Sequence, residues 1–352
     1  MDIYCIFKPA IYISRVFCLA PFAAVENSGF TRYKISTFWL LYSILGVCAS
    51  FVFQINILWA SLFFSGKTIL NVISVVMSQA TFVASVVTQI LCLNNGKNVL
   101  RILDHVSVLD SEHSGARIGY YRLHRVFIVV LISSIISVVA PTAMMFATHN
   151  ANSTYSLKIL YCSTVYFICD VVLLLSDTLF IHFVLLLKYR FSVLNDTVIN
   201  FTVQSLHKTS LNHMIRAPAA DRSVNSSTSA VSSSVTLLQS TLRKVCRHHD
   251  SLCDISEFVN RTYSLQILLI VTVNFIKILF MAHTVSVEFS YVSILQYFAS
   301  TKILSMSTIV WLFVLTAKVV LLVAVCNLAS HEVSGLYLWC RPVCFLNAWP
   351  AE

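Results

Sequence analysis

Six stretches of this sequence, residues 37–58, 69–93, 126–147, 159–187, 264–287 and 303–326, are nearly continuous apolar runs, each of about 20 residues or more. A helix of that length spans the roughly 30 Å hydrocarbon core of a bilayer. Inside that core only helices and closed barrels satisfy their own backbone. The expected fold class is therefore all-α: a polytopic membrane helical bundle with six spans and the lipid bilayer as its immediate partner. Composition agrees. With 57% hydrophobic and 11% charged residues among 352, and a mean hydropathy of +0.80, an ordinary soluble domain is excluded.

The net charge of +9 would suit a nucleic-acid partner if it formed one face, but it clusters by loop. Eighteen basic residues fall in the amino-terminal segment and in the loops 94–125 and 188–263; the opposite loops hold only Lys67, Lys158 and Lys302. No nucleic-acid partner is expected. The asymmetry instead predicts a cytoplasmic amino terminus. It also places the sequon Asn152-Ser153-Thr154 outside, where Asn152 is a glycosylation candidate, and leaves those at Asn195, Asn225 and Asn260 in the cytosol. The apolar run 17–25 is short and interrupted by Pro21, so no cleaved secretory signal is expected. Of the 11 cysteines none lies in the outer loops, which leaves no disulfide framework.

These features divide the chain into a cytoplasmic amino-terminal segment (1–36), spans one to four (37–187), cytoplasmic helical extensions (188–263), spans five and six (264–327) and an atypical tail (328–352). Within the extensions, Phe191, Leu194, Val198 and Phe201 keep a helical stripe beyond the fourth span. The serine-rich run SVNSSTSAVSSS is expected to be a disordered tip.

One stretch ties water to membrane. In HHDSLCDISEFVNRTYSLQILL, residues 248–269, Leu252, Ile255 and Val259 recur at helical spacing, while Asp250, Asp254, Glu257 and Arg261 fall on another face. From Ser264 the charged face disappears, which predicts one helix crossing the membrane boundary. His249, Asp250, Leu252, Cys253, Asp254, Asn260, Tyr263, Leu265 and Gln266 together resemble the signature region of the insect gustatory receptors. The resemblance, over about residues 30–332 by span arrangement, implies a seven-span chain of inverted topology and a homo- or hetero-tetrameric, ligand-gated cation channel made with other gustatory receptor subunits. It further implies a small-molecule tastant, sugar or bitter, bound among the helices toward the outside, and residence in the plasma membrane of sensory neurons.

The family ordinarily ends in a pore-lining span with a Thr-Tyr motif, whereas here CNLASHE is followed by VSGLYLWCRPVCFLNAWPAE. Arg341, Pro342 and Pro350 argue against a span there. On this reading the chain as written does not conduct by itself.

Charged residues inside spans need a reason, and Asp170, Asp177, Lys277 and Lys318 are the four. Asp170 and Lys277 are expected at similar depth, either facing each other or flanking a wet ligand cavity. Gln79, Tyr166, Asn274, His283 and Trp311 complete the ligand-binding candidates, against the alternative of packing or interfacial anchoring. Leu252, Ile255 and Val259 are the assembly candidates, expected to pack on the facing extension or on a neighbouring subunit. Cys246, His248, His249 and Cys253 offer metal-ligand types at a spacing that matches no standard site, so neither metal nor cofactor is expected. No nucleotide-binding glycine loop, nucleophile elbow or HExxH pair occurs, which leaves no catalytic residue and no enzyme. A G-protein-coupled receptor would need the opposite topology and its Asp-Arg-Tyr and Asn-Pro-x-x-Tyr motifs. A secondary transporter working through the intramembrane charges is the alternative, although no inverted repeat is visible. A purely structural partner of a channel is the third reading.

Overall fold

The computed structural model describes residues 3–27, 30–64, 69–112, 120–150, 157–215, 227–292 and 299–347. In chain order these form α1 (Ile3–Val16), β1 (Phe22–Asn27), β2 (Phe30–Ile35), α2 (Thr37–Phe64), α3 (Ile69–Glu112), α4 (Tyr120–Asn150), α5 (Leu157–Ile215), α6 (Ser227–Val292) and α7 (Ala299–Asn347). Six of the helices hold a segment long and apolar enough to cross a membrane: Thr37–Asn56, Val75–Asp110, Tyr120–Val139, Thr164–Asn200, Arg243–Val287 and Thr308–Ser334. The helical membrane bundle is thus as the sequence predicts. The stretch 248–269 lies in the unbroken α6, and α5 continues well beyond its apolar span.

The structure adds to the sequence reading at one place and departs from it at two. Residues 1–36 contain a helix and a β-hairpin, with Phe22 opposite Ile35 and Asn27 opposite Phe30. The serine run is helical from Ser227 onward. Serine costs only a few tenths of a kcal/mol per residue in a helix, and extending an existing helix is far cheaper than starting one. Third, α7 passes through Pro342 to Asn347, so that proline does not end the helix.

The chain divides into two units. The larger comprises Met1–Phe183 and Val259–Ala324, the other Val184–Phe258 and Val325–Glu352. In the larger unit α5 is the central element: 83% of its most apolar window is buried, against 11% for α2. Phe38, Leu45 and Trp59 of α2 are 69%, 67% and 65% exposed. In a membrane such side chains face acyl chains, which are as apolar as they are, so their exposure carries no penalty.

The amino-terminal segment belongs to this core because of its spacing. Ile3, Phe7, Ala10, Ile11 and Ser14 fall on one face of α1 and are buried, while Lys8, Tyr12 and Val16 lie exposed on the other. Phe7 packs against Phe127 of α4 and Phe183 of α5, with ring centroids 5.5 and 4.8 Å apart. The C-terminus of α1 closes with two reverse bonds: Leu19 N–H donates to Ser14 O at 2.8 Å and Cys18 N–H to Arg15 O at 3.0 Å. Cys18, at φ 62°, takes the left-handed position usually given to glycine. Gly46 of α2 faces it so closely that a Cβ there would collide with the Cys18 sulfur.

In the smaller unit, Asn195 Nδ2 of α5 donates to Glu332 Oε2 of α7 at 3.2 Å, and Phe191 meets the His249 ring edge-on at 6.0 Å. Leu252 and Ile255 are buried there.

Candidate functional site

Tyr166 and Asp170 stand four residues apart on α5 and therefore share a face, as do Asn274 and Lys277, three apart on α6. The two faces meet. Lys277 Nζ donates to Asp170 Oδ1, and both side chains are buried. The same ammonium lies 5.0 Å from the centre of the Tyr166 ring, a separation suited to cation–π attraction. The Tyr166 hydroxyl lies near Thr81 of α3. The expected Asp170–Lys277 juxtaposition is therefore a direct ion pair, roofed by an aromatic ring and joined to α3.

Two more charges sit close by. Lys318 of α7 lies within electrostatic range of Asp170, Asp177 and Lys277. The four intramembrane charges noted in the sequence thus form one neighbourhood of two acids and two bases. The direct Asp170–Lys277 pair offsets its own charge in a medium where an isolated charge is costly.

The remaining candidates do not all converge on this centre. Asn274 is buried one helical turn before Lys277. Gln79 pairs elsewhere, accepting a hydrogen bond from Gln54 of α2. Trp311 packs against the apolar cluster that includes Leu131, Val138 and Leu175. His283 is exposed. Asn152 lies outside the described residues. Leu252, Ile255 and Val259 are 5%, 5% and 2% exposed within a single chain, so no neighbouring subunit is needed to bury them. The charged side chains on the other face of α6, Asp250, Asp254, Glu257 and Arg261, are exposed.

Sequence reasoning did not assign roles to Tyr263 and Gln266 individually. Gln266 Nε2 donates to Ser176 Oγ of α5 and lies 3.3 Å from Cys92 Sγ of α3, fastening three helices with one amide. Tyr263 packs against Phe180 and Phe183 at 5.7 and 5.8 Å. Asn95 Nδ2 donates to Thr262 O at 2.9 Å. Beside these groups, with Phe7 and Leu19, is a cavity of about 20 Å³. That is room for roughly one water molecule. A polar residue in an apolar run, at a position facing other spans, is the signal that marks Gln266.

Among the described residues, a bundle of six span-length helices around a buried ion pair defines a multi-pass membrane protein. Over residues 7–337 the sequence matches the family model described as 7tm chemosensory receptor. The chain belongs to that family, and its role is that of a chemoreceptor rather than an enzyme. No curated protein sequence matches it.

Proposed function

We propose that this chain is a gustatory receptor subunit: a ligand-gated cation channel of the sensory-neuron plasma membrane, working as a homo- or hetero-tetramer, that binds a small-molecule tastant among its membrane helices. The carrying observation is the Tyr166–Lys277–Asp170 group. It joins α5 to α6 and reaches α3, so a ligand that competes for the lysine or stacks on the tyrosine alters how three spans pack. A sugar would use the aromatic face together with hydrogen-bonding groups; a bitter compound would use the apolar walls. Asn274 lies on the same face as Lys277, while Gln79, His283 and Trp311 serve as outlying contacts. Glycosylation of Asn152 goes with the cytoplasmic amino terminus, and enzymatic deglycosylation reads it as a shift in gel mobility.

The test is whole-cell recording of the full chain, alone and with other subunits of the family, against a panel of sugars and bitter compounds. Tyr166→Phe keeps the ring and removes the hydroxyl, and a shifted half-maximal concentration in this variant supports the site. Currents identical to wild type in both Tyr166→Phe and Tyr166→Leu remove Tyr166 from it. The four intramembrane charges favour one second reading, a secondary transporter. Substrate uptake without ligand-gated current would establish that reading in place of the channel.

A further inference from the structure

We propose that Arg15 is the centre of a binding site for a phosphate group at the junction of α1, the β-hairpin and the start of α2. Arg15 is 5% exposed, and among the described residues its Nε and Nη2 atoms are buried without a hydrogen-bond partner. Its guanidinium lies 4.6 Å from the ring centre of Tyr12, 5.6 Å from that of Trp39 and 6.0 Å from that of Tyr33. Aromatic faces attract a cation but accept no strong hydrogen bond, so the guanidinium donors stay unsatisfied.

The usual local acceptors are taken. The carbonyls of Ser14 and Arg15 already receive the N–H groups of Leu19 and Cys18. A second cation approaches from outside: Lys8 Nζ lies 5.9 Å from the centre of the Tyr12 ring, which Arg15 also faces. Two cations around one ring repel each other unless an anion lies between or beside them. Arg32 and Lys34, exposed on β2, add to the positive field.

A phosphate fits because the planar guanidinium presents paired N–H edges that match its oxygens, while lysine adds a point charge. Access runs past Tyr12, which is 44% exposed and forms the outer wall. Trp39, in the first turn of α2, sits where aromatic residues gather at membrane interfaces. Next to it Phe38 and Leu41 are 69% and 57% exposed. The phosphate comes either from an anionic lipid headgroup or from a free phosphorylated solute. The site is independent of the Tyr166 group.

Thermal melts of the full chain in a neutral detergent distinguish these sources. Dioctanoyl phosphatidic acid, inorganic phosphate and dioctanoyl phosphatidylcholine are the probes. The expected result is that phosphatidic acid raises the melting temperature of wild type while phosphatidylcholine does not. Arg15→Met should melt at or above wild type without anion and fail to respond to phosphatidic acid, so that the order of the two proteins reverses on its addition. Lys8→Gln, a change at an exposed position, should fold normally and weaken the response by roughly threefold, as one partly screened charge allows. Inorganic phosphate giving the same stabilisation at equal concentration also supports the site and assigns it to a free solute. An equal response to phosphatidic acid in wild type, Arg15→Met and Lys8→Gln overturns the proposal, as does no response of wild type to either anion. Should Arg15→Met not fold, Lys8→Gln and the probe comparison carry the test.

Discussion

Lys277 and Arg15 are both buried cations of the larger unit, 2% and 5% exposed, and they are held in opposite ways. Lys277 has a carboxylate in direct contact and one aromatic face. Arg15 has three aromatic faces and, among the described residues, no carboxylate paired with it. A charge removed from water needs compensation, and an acid supplies much more of it than a ring does. The difference teaches where the molecule is closed and where it is open to a partner. The centre balances its own charge, while the edge near α1 leaves a positive charge for something else to meet.

The hardest way to break this comparison is to give Lys277 the situation of Arg15. Asp170→Asn leaves a buried ammonium facing a neutral amide and should cost about 3–5 kcal/mol, the usual loss when one partner of a buried pair is removed. Thermal or denaturant unfolding in detergent measures it. The double change Asp170→Asn with Lys277→Met should recover most of that loss, since it removes the orphaned charge as well. A single variant as stable as wild type would mean that the ion pair does not hold Lys277 in place.

A smaller effect is expected from disturbing the seat of Arg15. Gly46→Ala puts a methyl group against the Cys18 sulfur, at the turn that fixes the end of α1 on α2. Overpacking of this kind costs about 1–3 kcal/mol. Adding Cys18→Ala removes the colliding atom, and the melting temperature of the double variant should return toward wild type. If it does not, the approach of α1 to α2 is set by contacts other than this one.

The two cations also differ in how legible they were. Asp170 and Lys277 stand out in a sequence because charge inside an apolar run is rare, and counting residues from the span ends gave their common depth. The spans themselves were legible for the same reason, and so was the passage of α6 through residues 248–269. Arg15 gave no such signal. It lies in a segment where basic residues are expected, and its aromatic neighbours come from positions 12, 33 and 39, brought together only by the hairpin. The hairpin was missed because the apolar run 17–25 has a helix-like composition and Pro21 interrupts it. Its partner strand alternates over three residues, with Tyr33 buried between exposed Arg32 and Lys34. Gln79 illustrates what else the sequence does not carry, since a polar side chain in a span marks a polar contact without naming its partner, here Gln54 of α2. Helix periodicity gives the buried face, but not which helix covers it.

Tyr33 sharpens the comparison through pH. Burial pushes its hydroxyl up to about 12 from an ordinary 10.0, partly offset by the Arg15 charge, which favours the phenolate. Because the folded value lies above the unfolded one, the stability from keeping Tyr33 neutral is fully present below pH 10 and is lost as pH rises from 10 toward 12. Melting temperatures across that window should fall for wild type. In Tyr33→Phe this group's contribution disappears and the fall should be shallower. The variant also loses the hydrogen bond from Tyr33 Oη to Tyr4 O, at 3.2 Å, which lowers its stability at neutral pH by about 1 kcal/mol. Equal slopes in the two proteins would mean that other groups, such as Tyr4, which burial also raises, control the alkaline limb.

The smallest effect is expected where charge meets water and needs no compensation. Glu257 lies exposed on α6, four residues before the exposed Arg261. Glu257→Gln should change the stability of the isolated chain by about 0.5 kcal/mol or less, as solvent-exposed charges on a helix do. A second variant at this position, Glu257→Lys, separates the two faces of α6 as assembly surfaces. Leu252, Ile255 and Val259 are already covered within one chain, so a charge placed there breaks the fold before it can report on a neighbour. A charge reversal at Glu257 leaves the fold intact. If the oligomer then dissociates on a native gel at unchanged melting temperature, the exposed charged face meets the neighbouring subunit and the apolar stripe only holds that face in position.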